Sequence, residues 1–211
     1  MLVLAVAVVV GACGGKSPAQ LASDALNAGL QAHLAGNLAE ASEHYKECLK
    51  HEPTNKVCLY DLGLIAQTEN RLAEAENYYR LSLSTDPNYP PSIFNLAILR
   101  ANAGATQEAI QLYRLYVQIN PDDAGGHLNL GLLLREIGDT AGAEAEIAMA
   151  VQLNPSINVP PASPAATAAP PSGAPASIAP SPAATPVPAA TPAPTPAPTA
   201  AATAAPSPSS T

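Results

Sequence analysis

His44, Glu47 and His51 lie three and four residues apart, a spacing that brings them to one face of a helix. Two imidazoles and a carboxylate are zinc-type donors, so the trio would hold a metal ion if a further ligand came from elsewhere in the fold. The plainer reading is a solvated helix face with Glu47 and His51 as an i,i+4 pair. It is preferred, because nothing else in the chain completes the set. His33 and His127 stand alone, and no Ser/His/Asp, Cys/His or glycine-rich phosphate pattern is present. The residues therefore assign no catalytic group, no metal and no cofactor. Cys48 and Cys58 flank Pro53 five residues to either side. On antiparallel helices joined at that proline they could face each other and form a disulfide in an oxidising compartment. The preferred alternative is two small buried apolar side chains, a role cysteine often fills.

The elements that must position these residues recur. Pro53, Pro87, Pro121 and Pro155 are spaced 34 residues apart, and aligning on them superimposes Gly29, Gly63, Ala97 and Gly131. Ala41, Ala75, Ala109 and Ala143 follow in phase, then Tyr45, Tyr79, Tyr113 and Ile147; Gly36, Asn70, Gly104 and Gly138 precede each alanine by five residues. Within one unit, Leu62, Leu64, Ile65 and Ala66 fit a helix, Asn70 suits the left-handed residue that ends it, and Leu72 to Leu83 resumes the pattern. Small residues such as Gly63 and Ala75 let two helices approach, a tyrosine fills the gap, and the proline stops the second helix. A hairpin of this kind cannot bury both faces and must stack on its neighbours. In period and phased positions the chain resembles the tetratricopeptide repeat family. The expected fold is all-α: eight helices in four hairpins over residues 21–155, an α-solenoid.

Both ends differ from this body. Leu2 to Val10 is an apolar run too short to span a bilayer, and it leads into Gly11, Ala12 and Cys13. An aliphatic residue, two small residues and a cysteine resemble the lipobox of bacterial lipoproteins, although no Lys or Arg precedes the run. The resemblance implies a signal peptide at 1–12, cleavage before Cys13, a lipid on that cysteine and a tether at 13–20. The location implied is the extracytoplasmic or periplasmic face of a cell or outer membrane. After Pro155 the chain turns to Pro, Ala, Thr and Ser, with no charged residue beyond Glu146. Such a segment, 156–211, cannot offset its ordering entropy and is expected to be a disordered, semi-stiff tail. Extended at ~3.1 Å per residue it would reach about 170 Å. It is either a wall-spanning or glycosylated spacer or an uncommitted extension.

With 17 acidic against 9 basic residues the net charge is −8, and the cations are scattered singly. Nucleic acid needs a basic surface and is excluded as a partner. In the resembled family the first helices of successive units line a groove for peptides or helices. By register that groove implies Leu26, Leu30, Leu34, Tyr60, Leu64, Phe94, Ile98, Leu128 and Leu132, with Asn27, Asp61, Asn95 and Asn129 beside them. Where the family captures a terminal carboxylate it uses Lys and Asn, and here Leu26 and Leu30 stand at such positions. An apolar or amphipathic segment of another protein is the better fit. The expected function is a membrane-anchored scaffold, not an enzyme, with a role in envelope, pilus or secretion-complex assembly. A structural spacer working through the tail and, last, a metal-dependent enzyme are the alternatives. Pro160 and Pro161 leave no room for a capping helix, so the last helix is expected to expose Ile147, Val151 and Leu153 to a second copy unless Ile157 and Val159 fold back over them. Lipidation makes a direct prediction: Cys13→Ser should move the protein from the membrane fraction to the soluble one, and an unmodified Met1 on soluble native protein would refute it.

Overall fold

Each 34-residue unit folds as a pair of antiparallel helices, and the phased residues explain where each helix starts and stops. The computed structural model describes residues 15–161. The apolar leader, Cys13 and the tail beyond Pro161 lie outside them. The helices are α1 (Pro18–Leu34), α2 (Leu38–His51), α3 (Lys56–Thr68), α4 (Leu72–Thr85), α5 (Pro90–Asn102), α6 (Thr106–Ile119), α7 (Ala124–Glu136) and α8 (Thr140–Leu153). Among the described residues there is no strand, and no helix is long and apolar enough to cross a membrane. Inside each hairpin the turn runs through a left-handed residue: Gly36, Asn70, Gly104 and Gly138 have φ of 79°, 59°, 75° and 82°. Glycine reaches that region without steric cost, and asparagine is the usual substitute.

Helix α1 begins at Pro18, inside the stretch read from sequence as a tether. Ser17 and Gln20 form a reciprocal capping box, and proline suits the first helical position. Glu40, Glu74 and Glu108 lie in the first turns of α2, α4 and α6, where a negative charge complements the helix dipole. The second helices stop two residues before each phased proline. The residue between is extended at Asp86 and Asn154, as the following ring requires.

The hairpins close on a narrow gap. Ala41, Ala75 and Ala109 are fully buried, as are Tyr45, Tyr79 and Tyr113. A Cβ added to Gly29 would stand 2.5 Å from the Tyr45 ring, and one on Gly63 2.6 Å from that of Tyr79, so the absent side chain is what admits the tyrosine. Contacts between units also recur in phase. Cys48 on α2 and Cys58 on α3 form a disulfide, correcting the preferred expectation of unbridged apolar cysteines. Thirty-four residues on, Ser92 Oγ donates to Ser82 Oγ at 2.8 Å, and Ser82 donates to the Lys56 carbonyl at 2.9 Å. Units two and three are further tied by Arg80 and Arg100, which share Glu76 and Glu108 at 2.6–3.0 Å.

At the C-terminal end the inter-unit turn forms but no helix follows it. The Ile157 amide donates to the Asn154 carbonyl at 3.0 Å, as Asp123 does to Asn120 at 3.2 Å one turn earlier in the array. The chain then returns to α7, where Arg135 Nη1 donates to the Pro160 carbonyl at 3.1 Å. Ile157 and Val159 are half-buried, Ile147 and Leu153 likewise, while Ile137 and Val151 stay 44% and 40% exposed. The packing predicts that Ala75→Leu overfills a closed contact and lowers stability by about 1–3 kcal/mol. Ala39→Leu, on the exposed face of α2, should change it by less than about 0.5 kcal/mol. Urea denaturation of both variants checks the contrast.

Candidate functional site

On three of the four first helices, α1, α3 and α7, one stripe remains open between stretches of core. On α3 it runs through Val57, Leu64 and Thr68, with buried Asp61 in the same register; on α1 through Leu26, Leu30 and Leu34; on α7 through Leu128, Leu132 and Glu136. The spacing of three and four residues keeps each set on one side of its helix. Leu26, Leu30, Leu64, Leu128 and Leu132 are half-buried, and Leu34 is 67% exposed. These leucines are a row of apolar side chains that water still reaches.

Three residues assigned to the groove by register are placed inside the packing instead. Tyr60, Phe94 and Ile98 are 8%, 6% and 3% exposed. The Phe94 ring packs on Tyr113 and Tyr116 at centroid distances of 5.5 and 4.9 Å, and Tyr60 on Tyr79 and Tyr89 at 5.9 Å each. The rings of Tyr60 and Phe94 reach residues of neighbouring helices, whereas Leu26 and Leu128 in the same phase stay half-buried. Substituting Phe94 would therefore report on folding rather than on binding.

The polar row beside the leucines is uneven. Asn129 Nδ2 donates to the Tyr113 hydroxyl at 3.1 Å, and Asn95 Nδ2 to the Tyr60 hydroxyl at 3.3 Å and the Pro91 carbonyl at 3.1 Å. Asn27 is exposed. Asp61 is 6% exposed, and its Oδ2 is enclosed with no hydrogen-bond partner. Burial alone pushes its carboxyl from 3.8 up to about 7. Its charge in turn reinforces the effect of burial in raising the Tyr45, Tyr79 and Tyr89 hydroxyls, and with burial it pushes Tyr60 up to about 12. Asp61 was legible only as one member of a row. The signal that sets it apart is a single carboxylate in phase with three amides.

The remaining candidates have structural occupations. Glu47 Oε1 meets His51 Nε2 at 3.2 Å and its other oxygen meets Lys50 at 2.5 Å, while His44 lies 3.9 Å from Glu40. Among the described residues no group of three His, Cys, Asp or Glu is placed to hold a metal ion. His127 bonds Glu146 of α8 through Nδ1 at 2.6 Å and the Pro121 carbonyl through Nε2 at 2.9 Å, tying the last hairpin to the turn before it. His33 contacts the Tyr45 hydroxyl at 3.3 Å, and burial lowers its pKa.

Residues 58–89 match the tetratricopeptide repeat family. Three solved structures share the fold. MamA from Desulfovibrio magneticus RS-1 is 21% identical with a TM-score of 0.58, over 64% of this chain and 76% of that one. YrrB, a TPR protein with an unusual peptide-binding site, is 19% identical with a TM-score of 0.55, over 64% and 70%. The first TPR of Spaghetti (RPAP3), bound to the HSP90 peptide SRMEEVD, is 18% identical with a TM-score of 0.53, over 57% and 95%. No curated protein matches the chain. The described array is thus a tetratricopeptide-repeat solenoid.

Asp61 gives a pH-dependent prediction. Its folded pKa is raised, so its protonated form favours the fold: that contribution is complete below about pH 4 and is lost as pH climbs through about 7. Asp61→Asn should match the wild type in denaturant stability near pH 4 and exceed it above pH 7 by up to about 4 kcal/mol. Equal stabilities across the range would refute the buried, unpaired carboxylate.

Proposed function

We propose that the protein is a lipid-anchored extracytoplasmic adaptor whose first-helix face holds an apolar or amphipathic segment of another protein. The observation that carries this reading is the row of half-open leucines on α1, α3 and α7. Side chains at helical spacing on parallel, rigid supports suit anchors repeated along an extended or helical ligand. YrrB and the RPAP3 unit, which have peptide-binding descriptions, lend their fold's precedent for peptide capture. The face carries apolar groups flanked by amides and has no array of lysines to clamp a terminal carboxylate.

Two further observations bear on where this happens. The Cys48–Cys58 bridge is the kind of bond that persists outside the reducing cytosol. The Val10-Gly11-Ala12-Cys13 motif supplies an attachment point for acyl chains, and two or more chains give stable anchoring where one gives marginal binding. Both fit a protein exported and held at a membrane face, with its solenoid available to envelope proteins. Assembly of an envelope, pilus or secretion complex is the process such an adaptor would serve.

The test uses photo-crosslinking in native membranes. A photoreactive residue at Leu64 should yield defined protein adducts, and the same residue at exposed Gln111 on α6 should not. Adducts from both positions alike, or from Gln111 alone, would refute the first-helix face as the binding surface.

A further inference from the structure

Asp61 is buried on α3 in the register of its open stripe, four residues after half-buried Val57 and three before half-buried Leu64. It is therefore part of the face on which the proposed segment would lie. Its Oδ2 has no partner and its side chain is almost wholly withdrawn from water. An acceptor left in that state costs stability, and the equivalent residues of the other units are amides. An amide at this position can donate, as Asn129 and Asn95 do to tyrosine hydroxyls. A carboxylate only accepts, and in a low-dielectric site it discriminates by charge.

Among the described residues no cation pairs with its Oδ2. Lys56 is held by Asp86 at 2.5 Å, Arg71 by Glu69 and Glu74, and Arg100 by Glu76 and Glu108. We propose that Asp61 is the charge-recognition point of this face, its carboxylate receiving the ammonium or guanidinium of a lysine or arginine carried by the bound protein segment. The proposal rests on the adaptor reading above and specifies the chemistry of its partner. The aromatic surroundings add to this preference, since cations are stabilised beside aromatic rings. The chain's net charge of −8 attracts basic segments from a distance.

Recognition of this kind depends on pH through groups that can be named. The titratable groups that feel the charge of Asp61 are Tyr45 from α2, with His33 of α1 on its hydroxyl; Tyr79 from α4, bonded to Gln67; Tyr60 on its own helix; and Tyr89 before α5, with Lys56 over its ring at 5.2 Å. Burial keeps the four tyrosines neutral and lowers His33, so across neutral pH the charge change belongs to Asp61.

The probe is a library of 12-residue peptides displayed on phage and selected at pH 8 against the intact chain, Asp61→Asn and Leu64→Asp. Expected are apolar anchors with one Lys or Arg at a fixed offset for the wild type, and the same anchors without the basic residue for Asp61→Asn. For a selected peptide, replacing its lysine by norleucine should weaken binding about thirtyfold on the wild type and little on Asp61→Asn. Wild-type affinity should fall on going from pH 8 to pH 5.5, and that of Asp61→Asn should not. Anchors without basic enrichment, lost on Leu64→Asp, would overturn the role of Asp61 and leave the binding face standing. Selection indifferent to Leu64→Asp would overturn both. Matching circular dichroism and urea midpoints at least equal to the wild type for Asp61→Asn at pH 8 exclude misfolding as the cause.

Discussion

The array depends on one close approach, that of a tyrosine ring to a residue without a side chain on the partner helix. The approach fixes the gap between the two helices of a hairpin, and the alanine four residues before the tyrosine is buried because of it. In the third unit Ala97 takes the glycine's place against Tyr113, and in the fourth Ile147 stands for the tyrosine, with Gly131 retained to receive it. The contact accommodates one methyl group more in the third unit and a smaller side chain in the fourth, so the surrounding packing takes up modest differences in volume. The tyrosine adds something a leucine could not. Its hydroxyl reaches a polar group at the far side of the gap: His33 for Tyr45, Gln67 for Tyr79 and Asn129 for Tyr113.

Between hairpins the same pair of positions is solved three ways. Cys48 and Cys58 are joined covalently, Ser82 and Ser92 share a hydrogen bond, and Tyr116 lies where a Cβ on Gly126 would come within 2.7 Å of its ring. The positions are in phase, so the backbone separation is set by the repeat and the chemistry across it is free to vary. Stability of a solenoid is close to a sum of unit and interface terms. A bridge at the first interface therefore strengthens the end of the array nearest Cys13, while the ion-pair network of Arg80, Arg100, Glu76 and Glu108 reinforces the middle.

Backbone features were the most legible in sequence, because each rests on a residue with few conformational options. Asn70 in a row of glycines announced a left-handed turn, and the four prolines announced helix ends. The N-terminus of α1 was missed by a few residues. Gly14 and Gly15 suggested a tether, yet Ser17, Pro18 and Gln20 together make a helix start, a signal readable in the sequence. The disulfide was also readable. Comparing phases would have set Cys48 and Cys58 over Ser82 and Ser92, two short polar pairs at one contact. Groove membership was harder to read. Phase alone made Phe94 equivalent to Leu26, but a ring long enough to touch Tyr113 and Tyr116 turns inward where a leucine stays at the surface.

Asp61 shows why a repeat is informative where it breaks. A solenoid supplies its own controls, since each position has counterparts in the same phase, and for buried Asp61 the nearest in surroundings are half-buried Asn95 and buried Asn129. At this position three amides establish what the backbone and packing require, and the carboxylate departs from it without a compensating donor. Folding gains nothing from the change, because burial opposes the ionised form that water would favour. Local departures of this sort persist where function uses them. On the proposed role of Asp61 the gain lies in a state where a donor is present, arriving from the side of the open stripe through Val57, Leu64 and Thr68. The neutral amides in the other units limit that requirement to one point along the face, so apolar anchors can set affinity while a single charge sets the register in which a segment binds.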